Sequence, residues 1–218
     1  MMSLPLAEHL VAAIPAGLPG LFHPWRDRCP HDAPGNGPAE RLARLAAHLD
    51  SDARWILVGE APGYQGCRYS GVAFTSERLL IDGAIPRVPR VLGRLAVRER
   101  PFSEPSATIV WKALNRAGIA DQTVLWNALQ LHPHISGMPW TNRTPNPAEL
   151  AHGEAAMHRL VEAFPRARIV AVGRKAEQLL ASAGVPVHVA VRHPANGGAT
   201  AFTEGLLAAV AGDSGAAL

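Results

Sequence analysis

The chain is short of cysteine, lysine and uninterrupted apolar sequence. Cys29 and Cys67 are the only thiols among 218 residues, and they form no Cys-x-x-Cys pair. Two thiols are too few to hold a structural zinc or an iron–sulfur cluster by cysteine alone, and they make no disulfide framework. A reducing, cytoplasmic setting is expected. No apolar run approaches the roughly 18 residues of a membrane span. Met1 to Leu21 has no basic opening segment and carries Pro5, Pro15 and Pro19, which argues against a signal peptide. The expectation is a soluble monomer with no membrane partner.

Lysine is scarcer still relative to arginine. Of 21 basic residues only Lys112 and Lys175 are lysines, leaving 19 arginines. Both lysines fall on predicted helices away from the expected cleft, so no Schiff-base nucleophile is indicated. Arginine suits phosphate, because its planar fork grips two oxygens at once. The same richness in Ala, Gly, Pro and Arg also follows from base composition, and a formal charge of +3 permits an acidic partner without demanding one.

What the chain does contain is a run of strand and helix signals at regular intervals. With 48% hydrophobic residues it is long enough for one sizeable core, and residues 1–218 are expected to form a single domain. Residues 1–37, rich in Pro and Gly, read as an extended N-terminal arm with a short helix near Ala7 to Ile14. Leu21, Phe22 and Trp25 staple that arm to the core. Leu42, Leu45, Ala46 and Leu49 after Pro38 make an amphipathic helix. Trp55 to Val58 is an apolar strand that runs into Gly59-Glu-Ala-Pro-Gly63, a tight loop bearing one carboxylate.

Gly71-Val-Ala-Phe-Thr75 then feeds a short helix at Ser76 to Leu80. Residues 82–106 form an Arg- and Pro-rich insertion. If Pro89 to Arg98 is helical, Arg90, Arg94 and Arg98 share one face, either solvated or lying along phosphates. Further helices are expected at Thr108–Ala117, Ala148–Phe164, Arg174–Ala183 and Ala201–Val210. Strands are expected at Thr123–Asn127, Arg168–Gly173 and Val185–Val191, with a Pro-rich loop over Leu131–Pro147. His132-Pro-His134 lacks a neighbouring carboxylate or cysteine and reads as loop rather than metal ligand.

Strands alternating with helices imply a three-layer α/β/α sandwich around a mainly parallel four-stranded sheet. Glu60, Asn127 and His193 then each fall at or just past the carboxyl end of a different strand. Those ends share one edge of a parallel sheet, so residues far apart in sequence converge on one cleft.

The ordered set Gly59-Glu-Ala-Pro-Gly63, Gly71-Val-Ala-Phe74, Asn127, Asn142-Arg-Thr-Pro145 and His193-Pro194 resembles the uracil-DNA glycosylase superfamily. Its first motif and its Asn-Arg-x-Pro element are most similar to the iron–sulfur branch. The resemblance implies that Glu60 positions or activates water, Phe74 stacks on an extruded base, Asn127 reads that base, and His193 stabilises charge on the departing base. Gly59, Ala61 and Tyr64 would complete the base site. Gly63, Arg90, Arg94, Arg98, Arg143, Asn196 and Gly197 would face DNA. The branch holds its cluster with four cysteines, so no cluster, metal or other cofactor is expected here.

The residues suit those tasks on their own chemistry. A carboxylate near the sugar steadies an oxocarbenium-like state and takes a proton from water. An imidazole donor stabilises a leaving anion. Asn offers one donor and one acceptor in a plane, which match the O4 and N3–H of uracil and mismatch the amino group of cytosine. Many relatives follow His-Pro with Ser and a bulky wedge; His193-Pro-Ala-Asn-Gly-Gly198 has neither Leu nor Tyr, leaving Asn196 or another segment to take that place. The expected activity is hydrolytic removal of uracil from DNA. The alternatives are a module that binds uracil or abasic DNA without turnover, and a glycosylase for another deaminated base such as hypoxanthine.

Overall fold

The computed structural model describes residues 3–215. Trp55 to Val58 has no polar side chain to offer solvent, and the strand it forms, β2 (Trp55–Gly59), is buried throughout. It lies between β3 (Thr123–Asn127) and β5 (Arg168–Val172), with β6 (Val189–Val191) outside β5, in a four-stranded sheet whose neighbours are all parallel. Successive side chains alternate between faces. Trp55 and Leu57 pack with Trp111 and Leu114 of α5 (Pro105–Arg116) and with Phe202 and Leu206 of α9 (Ala199–Gly215). Ile56 and Val58 pack on the other side with Leu10 of α1 (Ser3–Ala12), Leu45 of α2 (Pro38–Leu49), Leu160 of α7 (Glu154–Ala163) and Leu180 of α8 (Arg174–Ser182). A parallel sheet covered on both faces is the expected three-layer sandwich.

The N-terminal arm is more ordered than its proline content implies. It contains α1 and a two-residue strand, β1 (Leu21–Phe22), which pairs antiparallel with β4 (His132–Pro133) in the segment expected to be irregular. Leu21, Phe22 and Trp25 are buried. Two arginines that a helical wheel would put in solvent do the fastening. Arg41 is fully buried, donates to Asp32 Oδ1 at 2.7 Å and to Asp27 O at 2.6 Å, and also reaches Pro24 O. Arg44 donates to Ser70 O at 2.7 Å. A buried guanidinium is tolerated when its donors are satisfied, and here the acceptors belong to the arm and to α3 (Cys67–Ser70). Gly71 follows with φ +76°, and a Cβ there would fall 2.6 Å from Arg41 O, so this close crossing requires glycine.

The Arg-rich stretch is not helical between Pro89 and Arg98, and the ridge does not form. Arg90 Nε bonds Ile81 O at 2.6 Å, Arg94 Nε bonds Glu77 Oε1 at 2.7 Å, and Arg98 lies over the Phe102 ring at 4.1 Å. Four prolines over 82–106 break helical periodicity, and Glu77 in α4 (Glu77–Ile81) organises the segment instead. Its buried carboxylate also accepts from Leu95 N and Phe102 N, both at 2.8 Å. Burial pushes the Glu77 pKa up, but Arg94 and the two backbone donors outweigh it and hold the group below the usual carboxylate range. Glu77→Ala leaves those two amides and Arg94 without their acceptor. We expect a loss of about 3 kcal/mol, measured as a lower midpoint in urea unfolding.

The helix expected over 148–164 is interrupted. It comprises α6 (Pro147–Leu150), a 3₁₀ turn at Ala151–Gly153, and α7. Gly153 is pressed against the chain leaving β3, where a Cβ would sit 2.9 Å from the carbonyl carbon of Ala128. The last strand is also shorter than expected, since only Val189–Val191 pairs with β5, whereas α5 and α9 begin earlier than the apolar pattern alone placed them.

Candidate active site

Gly59 and Asn127 are register partners at the carboxyl ends of β2 and β3. Beyond them opens a cavity of about 320 Å³, lined by Glu60, Ala61, Gly63, Phe74, Glu104, Asn127, Arg143 and His193 among others. Ligand pockets run from roughly 300 to 1,000 Å³, so this one suits a single ring system. Phe74 and Asn127 are the floor. A Cβ on Gly59 would lie 2.6 Å from Phe74 Cζ and 2.9 Å from Asn127 Oδ1, so glycine is what lets the ring and the amide sit side by side above the strand end.

Phe74 adopts φ +48°, a left-handed conformation that is costly for a bulky side chain and is held where surroundings over-determine it. Its carbonyl accepts from Trp111 Nε1 at 3.0 Å, tying it to α5. The Phe74 and His193 ring centroids are 6.4 Å apart. No protein group among the described residues bonds the Asn127 side-chain amide, whose backbone carbonyl is held by Gln130 Nε2 at 2.7 Å. An amide without a protein partner, at a cavity floor beside an aromatic face, is equipped to pair with a planar ligand.

His193 follows β6. Ala195 N donates to its Nδ1 at 3.1 Å, so the neutral ring carries its proton on Nε2. Burial, partly opposed by the nearby Glu60 charge, lowers the His193 pKa below its ordinary value. The group is therefore a neutral donor around pH 7. Glu60 retains 29% side-chain exposure and meets Lys175 Nζ at 3.2 Å through Oε1; Oε2 has no protein partner among the described residues.

Lys175 corrects the sequence reading, which kept it out of the cleft. It stands in the first turn of α8, next to the end of β5, and its Nζ also donates to Thr144 Oγ1 at 2.9 Å. The ammonium thus bridges the Glu60 loop and the Asn142-Arg-Thr-Pro145 loop. Lys112, by contrast, faces α9 from α5 in a separate groove. Glu104 is the other residue missed. Its partly buried side chain lines the cavity wall, where a Cβ on Gly63 would lie 3.6 Å from Oε1, and burial raises its pKa to about 7.

A carboxyl with a raised pKa stays protonated in the folded chain between about pH 4.5 and 7, while the unfolded chain ionises. Glu104 therefore costs stability increasingly as pH rises through that window. Glu104→Gln should raise the thermal midpoint by several degrees at pH 8 and by much less at pH 5; equal shifts at both values would contradict the assignment.

Asn142 braces the first motif from across the site. Its Oδ1 accepts from Tyr64 N at 2.8 Å and lies 3.0 Å from His132 Nε2. Arg68 Nη1, which can only donate, is 2.8 Å from His132 Nδ1, so the His132 proton is on Nε2. Burial, reinforced by the Arg68 charge, lowers the pKa of His132 to about 3. His132 is thus a neutral hydrogen-bonded strut.

Other expected positions fall elsewhere. Tyr64 turns away from the cavity and packs on Phe102, with ring centroids 5.0 Å apart. Arg143 lines the cavity, but its guanidinium is held by Glu149 at 2.6 and 2.7 Å. Asn196 lines an adjoining groove with Arg174, Lys175 and Arg192; it and Gly197 have φ +52° and +76°, consecutive left-handed residues that turn the chain tightly. Arg90, Arg94 and Arg98 are engaged in the 82–106 segment. Cys29 and Cys67 belong to different core clusters, and no group of three or more His, Cys, Asp or Glu among the described residues could hold a metal. The residues present do not fit a four-cysteine cluster.

A model of the uracil DNA glycosylase superfamily matches residues 46–206, which include every residue of the cavity named above. The crystal structure of wild-type SMUG2 from Pedobacter heparinus shares the fold, with a TM-score of 0.67 at 15% identity, covering 99% of this chain and 100% of that one. No curated protein matches the chain in sequence.

Proposed function

Since the chain belongs to the uracil DNA glycosylase superfamily, and is therefore a DNA glycosylase in general character, we propose that it removes uracil from DNA by hydrolysis and leaves an abasic site. One observation carries this reading: Glu60, Phe74, Asn127 and His193, from four separated segments, line one base-sized cavity. Extruding a base costs a few kcal/mol, and stacking on Phe74 offsets part of it. Asn127 then pairs with the base edge.

Cleavage breaks the C1′–N1 bond, with the electron pair leaving on the base. The Nε2–H of His193 donates to the pyrimidine oxygen on which that charge gathers. Glu60 faces the positive sugar, orients water onto C1′ and accepts its proton, which passes to the departing base. Lys175 acts on this arrangement through Glu60 and Thr144. Held by both, its Nζ is not free to act as a nucleophile, and this supports hydrolysis without strand cleavage.

The experiment is incubation of purified protein with labelled oligonucleotides carrying uracil, hypoxanthine or thymine, single- and double-stranded. Uracil strands should break only after alkali. Breaks before alkali, or an adduct trapped by borohydride, would assign Lys175 a lyase role. Retention of the DNA with no product would favour a binding module, and hypoxanthine release exceeding uracil release would change the base.

A further inference from the structure

The segment 134–141 leaves the cavity wall and returns to it. Pro133 and Asn142, on either side of it, both line the cavity, so the turn starts and ends at the cavity wall, and its Trp140 also borders a neighbouring groove with Tyr64, Arg98 and Phe102. Its side chains are apolar where water is: Ile135, Met138 and Trp140 are 49%, 41% and 51% exposed. The backbone beneath them is tied down. Met138 N donates to Ile135 O at 2.8 Å, while Thr141 Oγ1 donates to Met138 O at 2.8 Å and accepts from Ile135 N at 3.0 Å. Gly137, with φ +75°, occupies the third position of this type II turn, which favours glycine. Arg143 Nε clamps the base of the loop through His134 O at 3.0 Å.

A turn fixed before it meets its partner gives up little ordering entropy on binding. The groove that adjoins the cavity, sharing Glu60 and His193 with it, differs in kind: Arg174, Lys175 and Arg192 border it, and Ala195, Asn196 and Gly197 carry no large side chain. One border is cationic, the other apolar. A DNA duplex presents phosphates and stacked bases together, and so matches both borders at once.

We propose that Met138 and Trp140 form the wedge that enters the base stack beside the extruded nucleotide. Met is among the apolar side chains that part base steps, and an indole offers a flat face on which an exposed base stacks. Pro139 between them stiffens the tip. The inference rests on the reading of DNA as substrate with the target base in the cavity, and locates the gap-filling group on the loop after β4 rather than at 195–198.

The test compares wild type with a Met138→Ala, Trp140→Ala double variant for binding to a duplex containing a tetrahydrofuran abasic analogue, the intact duplex, and the single strand. Wild type should prefer the abasic duplex to the intact one, and the double variant should lose at least tenfold of that preference, with single-strand binding as reference. Both side chains are exposed, so the variant's unfolding midpoint should stay within about a degree of wild type. A preference left unchanged by the substitutions, or absent from wild type, overturns the proposal. So does a wild-type dimer in sedimentation that the substitutions dissolve, which would make the turn an interface between copies. Uracil release from a single strand, measured in parallel, reports on the glycosylase reading separately, because the binding arms need no chemistry.

Discussion

Glu60→Gln should slow uracil release by about 10²–10⁴-fold in single-turnover assays, while binding of an abasic-analogue duplex changes only a few-fold. The amide keeps the size of the carboxylate and can still accept from Lys175, whose Nζ lies 3.2 Å from Oε1, so the loop stays in place. In the proposed reaction, what is lost is the charge that would face the oxocarbenium-like sugar and the site that would accept the proton of water. Full turnover in Glu60→Gln would remove Glu60 from the chemistry. A loss of binding as large as the loss of rate would make it a structural residue instead.

The second large effect is expected at His193. His193→Ala removes the imidazole donor of the cavity lining and should lower the rate by roughly 10²–10³-fold, the scale on which a single oxyanion donor matters. Its pH behaviour separates this role from general-acid catalysis by imidazolium. With Nδ1 occupied by Ala195 N–H at 3.1 Å and burial holding the pKa below the ordinary value, the ring is neutral at pH 7 and above. The wild-type rate should show no histidine limb between pH 7 and 8. His193→Gln, which keeps an N–H near the same place, should recover part of the loss. A rate that falls as imidazolium is titrated away near pH 6.5, with no rescue by glutamine, would contradict a neutral donor.

Glu60, Asn127 and His193 were legible because each ends or follows a strand whose apolar residues announce it. Four consecutive buried residues in β2 leave little choice but a doubly covered strand, and a parallel sheet puts all the carboxyl ends on one edge. Lys175 obeys the same rule: α8 begins where β5 ends, so its first turn borders the cleft. Reading the whole helix as one position hid this. Glu104 gave no such signal, because it precedes α5 at the end of an irregular stretch, and only tertiary packing brings its carboxyl to the cavity wall.

The arginines went the other way. Arg41 and Arg44 occupy polar positions of an amphipathic helix, and burial of such residues depends on acceptors contributed by the arm, which pattern alone cannot supply. Arg90, Arg94 and Arg98 share the spacing of a helical face, but the prolines around them and the buried carboxylate of Glu77 select an irregular path. Phe74 combines both lessons. Its place after Gly71-Val-Ala marked it for the cavity, whereas its φ of +48° depends on the Trp111 bond and on the space left by Gly59.

The claim that joins these observations is that the cavity excises uracil from DNA. Its most direct measurement is mass spectrometry of the products after purified protein meets a uracil-containing oligonucleotide, single- and double-stranded, without alkali. The account predicts free uracil together with an intact strand bearing one abasic site, both greatly reduced for Glu60→Gln and His193→Ala. No free uracil from either substrate, with the oligonucleotide mass unchanged, would contradict it.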